Sequence, residues 1–282
     1  VMSDLHLSFP GGITGHLRTP HDVANDAQAR DQLAAHAPGL QFSEATHRSV
    51  TLSIDHAHAD QPAFFSRGLS ARLHSLPSND LPADIPHLLY AMERQALLQR
   101  QLYPVHAACV GVGDDYILLV GHSGSGKTTL AQTLIDDHGY KLFSGNKTVV
   151  RFDSNGLTAI AGTRVMTAVS KDFNRHAYHP KPSDFATQSE VKISGIAQVR
   201  INDGVTEDVA MSPLSALHTL YPYFLDTVNA DVIVNGSAVF SGAVSPETGQ
   251  HLAENLGRAL QSLPAYKVSG SLPYMTKAVL AP

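Results

Sequence analysis

The stretch ILLVGHSGSGKTTLAQTL, residues 117–134, carries the side chains whose types and spacing point most directly to chemistry. Gly121-His122-Ser123-Gly124-Ser125-Gly126-Lys127-Thr128 meets G-x-x-x-x-G-K-[ST] at every fixed position. Glycines in such a run let successive backbone N–H groups converge on phosphate oxygens, and a helix that starts there adds partial positive charge. Lys127 has the reach for β and γ phosphates and the Thr128 hydroxyl suits a magnesium ion; Thr129 joins them as an expected nucleotide-binding residue. The bland alternative is a glycine turn between a strand and a helix. An apolar run before the loop and a helical pattern after it favour the phosphate reading, so a nucleoside triphosphate with Mg2+ is the expected ligand. In common nucleotide hydrolases an apolar strand ending in Asp supplies a second magnesium contact. The nearest run here, VNADVIV, places Asp231 ahead of its apolar residues rather than after them.

Those residues need a strand to deliver the loop and a helix to close it. VHAACVGV and YILLVG read as strands around a GDDY turn, and TTLAQTLIDDHG reads as a helix stopped by Gly139. KLFSGNKTVVRF and LTAIAGTRVMT read as strands joined at DSNG; VKISGIAQVRI and PAYKVSG are further strands. SPLSALHTLYPYFLDTV and ETGQHLAENLGRALQSL have helical patterns. Residues 171–190 are polar with two prolines and read as a long loop or lid. Lys171, Arg175, His176, His179 and Lys181 within it suit an anionic substrate, or simply an exposed basic loop. Upstream, Ile85, Leu88, Leu89, Met92, Ala96 and Leu97 recur at helical spacing, in a helix started by Asp84 or Pro86 and ended by Tyr103-Pro104. Before it lie the glycine-rich and polar FPGGITGH and HDVANDAQARDQLAAHAPGL. The strand SVTLSI follows (Val50, Leu52, Ile54), then a loop HAHADQPAFF and an extended stretch near LSARLHSL. The expected organisation is an N-terminal module over residues 1–80 and a catalytic domain over 81–282.

Composition narrows the function classes. At 282 residues, 43% hydrophobic and 16% charged, the chain can bury a core, and no apolar run reaches the roughly 18 residues of a membrane helix. The start, VMSDLHLSFPGG, lacks a basic region followed by an apolar run, so the expectation is a cytoplasmic protein without a membrane partner. A net charge of −5 offers no general attraction to nucleic acid. Cys109, the single cysteine, reads as a small buried hydrophobe. Sixteen histidines are scattered. In DHAHAD, residues 55–60, His56 and His58 share one face of a strand, and without a third ligand the segment reads as a polar strand end.

In the order of these elements the chain resembles the HPr kinase/phosphorylase family and its relatives in the phosphoenolpyruvate carboxykinase superfamily. The resemblance is carried by Val105-His106-Ala107 before a strand and turn, ILLVGHSGSGKTTLA, a helix ending in HGY, then KLF and a strand, and VKISGIAQVRI. It spans about residues 105–201, with weaker similarity through PAYKVSG. It implies an α/β fold: a P-loop kinase domain of HPr-kinase type with mixed β-sheets and flanking helices, beside a small N-terminal α+β module. It also implies ATP-dependent transfer of the γ-phosphoryl group to a hydroxyl, on a small-molecule metabolite or on a serine of a peptide or protein. Relatives are often oligomers, so a homo-oligomer is among the implied expectations.

The chain departs from that family twice. Ser144-Gly145-Asn146-Lys147 stands where an acidic pair is usual, and Ser194 precedes Gly195 where Arg is usual, with Lys192 two residues earlier. Phosphoryl transfer depends on placement and charge neutralisation, so other groups can serve. The resemblance puts His106 near the phosphates, where a pKa near neutrality would let it orient the acceptor or take its proton; a hydrogen-bonded core histidine is the other reading. Asn146 can bind magnesium or position the acceptor and Lys147 can neutralise phosphate, unless the segment is only a polar turn. Arg151, Arg164, Arg175 and Arg200 are candidate phosphate clamps. Two readings of another class remain: a nucleotide-binding regulator or pseudokinase without transfer, and a carboxykinase-like lyase, which the short chain disfavours.

Overall fold

The structure is a computed structural model that describes residues 2–43, 52–154, 156–169, 175–202, 204–227, 230–236 and 238–280. Val50 of the expected SVTLSI strand and Lys171 of the expected lid lie outside them.

The N-terminal part builds a six-stranded sheet from β1 (Ser3–Phe9), β2 (Ile13–Thr19), β3 (Gln41–Ser43), β4 (Leu52–His58), β5 (Ala63–Arg67) and β6 (Ser70–Ser75), in the order β3-β1-β2-β4-β6-β5. The glycines of FPGGITGH make the β1–β2 turn, with Gly11 and Gly12 at φ 70° and 71°, where a side chain would be strained. β2, β4 and β6 run parallel. The segment expected as the loop HAHADQPAFF is mostly strand: β4 continues through His58 and β5 begins at Ala63, because both find partners in β6. Likewise the polar segment before it contains helix α1 (Ala27–His36), capped by Asp26, whose Oδ1 accepts from the Gln28 and Ala29 N–H groups. Only Ala29, Leu33 and Ala35 of α1 are buried, too thin an apolar stripe to stand out in the sequence.

Helix α2 (Asp84–Gln99) follows and is buried on nearly every side. Its Leu88, Leu89, Met92, Ala96 and Leu97 join the core of the first sheet, which thereby crosses the boundary expected near residue 80. Its polar side chains are also inside: Tyr90, Glu93 and Arg94 are almost completely buried.

The rest of the chain supplies β7 (Tyr103–Val105), β8 (Ala107–Val112), β9 (Asp115–Val120), α3 (Lys127–His138), β10 (Lys141–Ser144), β11 (Thr148–Asp153) and β12 (Gly156–Gly162). There follow β13 (Met166–Val169), β14 (Arg175–Tyr178), β15 (Val191–Ile201), β16 (Glu207–Ala210) and α4 (Pro213–Leu225). Last come β17 (Asp231–Val234), β18 (Ala238–Ser241), α5 (Pro246–Ala259), β19 (Ala265–Gly270) and α6 (Leu272–Leu280). A nine-stranded mixed sheet runs β10-β8-β9-β15-β12-β11-β7, with β19 beside β15 and β16 beside β19. β9, β15 and β19 are parallel at its centre. Both faces are covered, and the strands alternate between them: Ala107, Cys109, Leu118 and Val120 pack with α4 and α5, while Ala108, Val110 and Leu119 pack with α3 and α6. The fold is therefore mixed α/β, as expected.

The expected lid, residues 171–190, is partly ordered as strand: β14 pairs with β13, and a 3-10 turn covers Pro182–Asp184. The β17–β18 hairpin was not expected, although Asn235-Gly236 between apolar runs is a strong hairpin signal. Asn235 ties this hairpin to the first sheet by donating to Ala63 O and His74 O at 3.3 and 3.0 Å. Among the described residues no helix is long and apolar enough to cross a membrane.

Arg94 pins α2 to both the end of α4 and the hairpin, with Nε donating to Leu225 O and Nη1 to Gly242 O, each at 2.7 Å. Arg94→Met keeps the packing but strands two buried carbonyls. Unfolding in urea should show a loss of at least about 2 kcal/mol with an unchanged slope.

Candidate functional site

The glycine-rich run forms the loop between β9 and α3, with Lys127 as the first helical residue and Gly126 as its cap. Gly126 has φ 95°, and a Cβ there would come within 2.4 Å of Ile201, so only glycine lets the loop close against β15. The Ser125 carbonyl in turn accepts from the Ile201 N–H at 2.8 Å. Lys127 is buried, and its Nζ donates to Gly121 O at 2.7 Å and His122 O at 3.0 Å, folding the ammonium over the start of its own loop. Burial lowers its pKa to about 8, against the opposing pull of the Asp226 carboxylate. Thr128 is half-buried and Thr129 exposed; Ser123 and Gly124 are exposed at the loop tip. The buried Ser125 hydroxyl has no hydrogen-bond partner among the described residues.

His106 sits between β7 and β8, and its N–H donates to Tyr223 O at 3.3 Å. The His122 ring contacts the Tyr223 ring at 5.3 Å, so the end of α4 touches both expected histidines. The premise of a near-neutral His106 is overturned: burial first, then the Lys127 ammonium, pushes its pKa down to about 4. It is a neutral imidazole whose buried Nδ1 lacks a partner among the described residues.

Ser144-Gly145-Asn146-Lys147 is a tight connection braced by Thr163, whose Oγ1 accepts from the Asn146 and Lys147 N–H groups at 3.0 and 3.2 Å. The Ser144 hydroxyl closes the turn on Lys147 O at 2.6 Å. Lys147 points inward. Its Nζ lies 3.0 Å from the centre of the Tyr90 ring and donates to His36 O at 3.2 Å. Burial lowers its pKa to about 8, while Asp226 and Glu93 favour its charged form. Glu93, enclosed beside it, is raised well above the ordinary carboxylate range by burial, with Lys147 acting against that shift.

The residue that sequence reasoning missed is Asp226. It caps the C-terminus of α4 in the left-handed region at φ 44°, is 2% exposed, and accepts a hydrogen bond from the Tyr90 hydroxyl. A carboxylate is disfavoured at a helix C-terminus, in a dry interior and on a left-handed backbone. What offsets those costs is the set of groups it acts on: Lys127, Lys147, His106, Arg94 and Tyr90. No local pattern marks it, since LDTV reads as an ordinary helix end.

Arg151 pairs with Glu190 at 3.0 Å and Arg164 lies over the Phe185 ring, 5.1 Å from its centre. Arg200 is exposed, Arg175 lies on β14, and His179 pairs with Asp31 of α1 at 3.0 Å. Asp231 is exposed at the head of β17, and the Ser194 hydroxyl donates to Tyr116 O at 3.1 Å. A depression lined by Asp137, His138, Pro273 and Lys277 lies between the ends of α3 and α6 and contains none of the motif residues.

No protein-family profile matches the chain, and no curated protein sequence does. Among solved structures, the Hpr(Ser) kinase/phosphatase from Coxiella burnetii matches over 64% of this chain and 88% of its own, with 9% identity and a TM-score of 0.33. That likeness is too distant to assign a residue or an activity.

The depressed His106 pKa fixes a pH dependence. Between pH 6.5 and about 4 the unfolded chain takes up a proton at this position that the folded chain does not, so stability falls as pH is lowered through that window. The penalty at pH 5 is about 2 kcal/mol. Urea midpoints at pH 7 and pH 5 should therefore converge in His106→Gln relative to the unsubstituted protein.

Proposed function

We propose that the protein is an ATP-dependent kinase that moves the γ-phosphoryl group of ATP to a hydroxyl, on a small-molecule metabolite or on a serine of a peptide or protein. The observation that carries this reading is the Lys127 ammonium, folded over a complete glycine-rich loop, where among the described residues its hydrogen bonds go to the neutral carbonyls of Gly121 and His122. Charged phosphate oxygens are stronger partners for an ammonium than carbonyls are, so a nucleotide would draw Lys127 away at little loss. The Ser125 hydroxyl and His106 Nδ1, without hydrogen-bond partners among the described residues, fit the same ligand, since both are buried polar atoms that a polyphosphate or its acceptor would satisfy. Gly121–Thr129 would hold the phosphates, and the Thr128 hydroxyl would hold magnesium, whose charge neutralises the β and γ oxygens.

In this reading the chain's own charges divide the work. Asp226 keeps Lys127 protonated in a dry site, which preserves its value to the transferring group. Tyr90 holds that carboxylate in place. Neutral His106 accepts a hydrogen bond from the acceptor hydroxyl at Nδ1 and orients it, and the incoming phosphate charge raises the basicity of the ring. A loose transition state needs no full deprotonation beforehand, so a weak base is sufficient. Asn146 positions the acceptor. Lys147 serves as counter-charge for Asp226.

One observation favours a second reading, a nucleotide-binding regulator without transfer: Ser144–Lys147 carries no carboxylate and its lysine faces the interior. The two separate in an assay of γ-labelled ATP with magnesium against pooled hydroxyl metabolites and serine peptides. Labelled product that Lys127→Ala reduces by at least ~100-fold, with an unchanged melting temperature, supports the kinase. Tight ATP binding without product supports the regulator. For the kinase, Asp226→Asn should lower kcat by about 10-fold or more and leave ATP affinity within roughly 3-fold, as expected of a group acting mainly in the transition state.

A further inference from the structure

We propose that His21, His56 and His58 form a three-imidazole site for a transition-metal dication of the zinc class, in the N-terminal sheet. The sequence offered only the pair on β4, where residues two apart share a face. The tertiary structure adds the third. β2 runs parallel to β4, and His21 lies just past its end, so the turn after β2 delivers an imidazole to the end of β4.

The geometry is that of a ligand set. One ring nitrogen from each histidine lies within 4.8 Å of the other two. Nε2 of His21 and Nε2 of His58 face each other at 3.4 Å. Two imidazole nitrogens bound tetrahedrally to one zinc ion at ordinary bond lengths stand about 3.3–3.4 Å apart. The His58 ring is edge-on to both others, at 76° to each, while the rings of His21 and His56 are parallel within 6°. The ring nitrogens of His56 contact the Thr19 and Ser75 hydroxyls, each at 2.9 Å. Releasing one of them leaves the other to fix ring orientation and tautomer, which is the supporting shell a metal-bound histidine uses. The Ser75 hydroxyl has a second acceptor in Leu76 O at 3.3 Å, so it is not stranded by that exchange.

The chemistry agrees. Asp26 and Asp80 lie near enough to favour positive charge at His21, and a dication would use that field. An all-imidazole set suits zinc, copper or nickel better than magnesium or calcium. His21 and His56 are buried while His58 is exposed, so an ion has an entry path and solvent can complete its coordination. The grouping Asp4, His6 and His16 on β1 and β2 is a built-in comparison, because His16 there is already paired with Asp4.

The test uses the full chain, stripped of metal and titrated with Zn2+ in competition with a chromophoric chelator, with cobalt absorption as a report of tetrahedral coordination. The expected result is one zinc per chain with Kd below about 1 μM, and a melting temperature raised by zinc. His58→Ala, at an exposed position, should melt like the unsubstituted protein without metal yet bind zinc at least ~100-fold more weakly and lose the zinc-dependent rise. His16→Ala should leave affinity and stoichiometry unchanged. No binding tighter than the chelator competition can detect, equal affinity in His58→Ala, or loss of the site in His16→Ala would each overturn the assignment. None of these outcomes depends on phosphoryl transfer.

Discussion

The buried carboxylate of Asp226 at the end of α4 ties the molecule together electrostatically. Its Tyr90 partner comes from α2, and the cations that answer its charge come from the loop helix α3, from the β10–β11 connection and from α2 again. Buried ion clusters contribute little to net stability, since desolvation consumes most of the Coulomb attraction, but breaking one side is costly. The cluster therefore acts mainly on specificity of packing: α2, α4 and the glycine-rich loop are held in one mutual arrangement, because any other leaves a charge unanswered in a dry interior.

That constraint explains why α2 departs from an ordinary amphipathic helix. Its apolar stripe seals the first sheet, and its polar stripe is enclosed with equal completeness by α4, the hairpin and Lys147. The glycine-rich loop inherits its precision from this arrangement. β9 is flanked by β8 and β15, Gly126 permits the approach of Ile201, and Tyr223 closes over His106 and His122. Strain and burial coincide around the candidate site: a left-handed Asp226, a lysine lowered to about 8 and a histidine lowered to about 4 lie on three different elements.

The N-terminal sheet has a separate chemistry. Its parallel strands bring their C-terminal ends to one edge, and three imidazoles collect there. The hairpin β17–β18 lies against the same sheet through Asn235, so the last third of the chain braces the sheet that carries the proposed metal site.

By itself the sequence determined the local elements whose signals are short-range. The loop from Gly121 to Thr128 was legible as a strand-to-helix turn because its glycines and lysine stand at fixed spacing, and α2, α4, α5, β8, β9 and β15 because apolar periodicity and stop signals lie within one window. KLFSGNKTVVRF and LTAIAGTRVMT, each expected as one strand, are each broken in two, β10 and β11, β12 and β13, where Thr163 braces the Asn146 and Lys147 N–H groups from outside the first segment. The polar segment holding α1 and the strand ends around HAHADQPAFF were not legible, since their order comes from cross-strand partners rather than from their own composition. Only the tertiary structure decided which charges meet. Asp226 lies far along the chain from Tyr90, and His21 far from His56, so neither grouping leaves a periodic trace. Burial then set the protonation that spacing cannot reveal, because a pKa depends on what surrounds a group after folding and not on its neighbours in sequence.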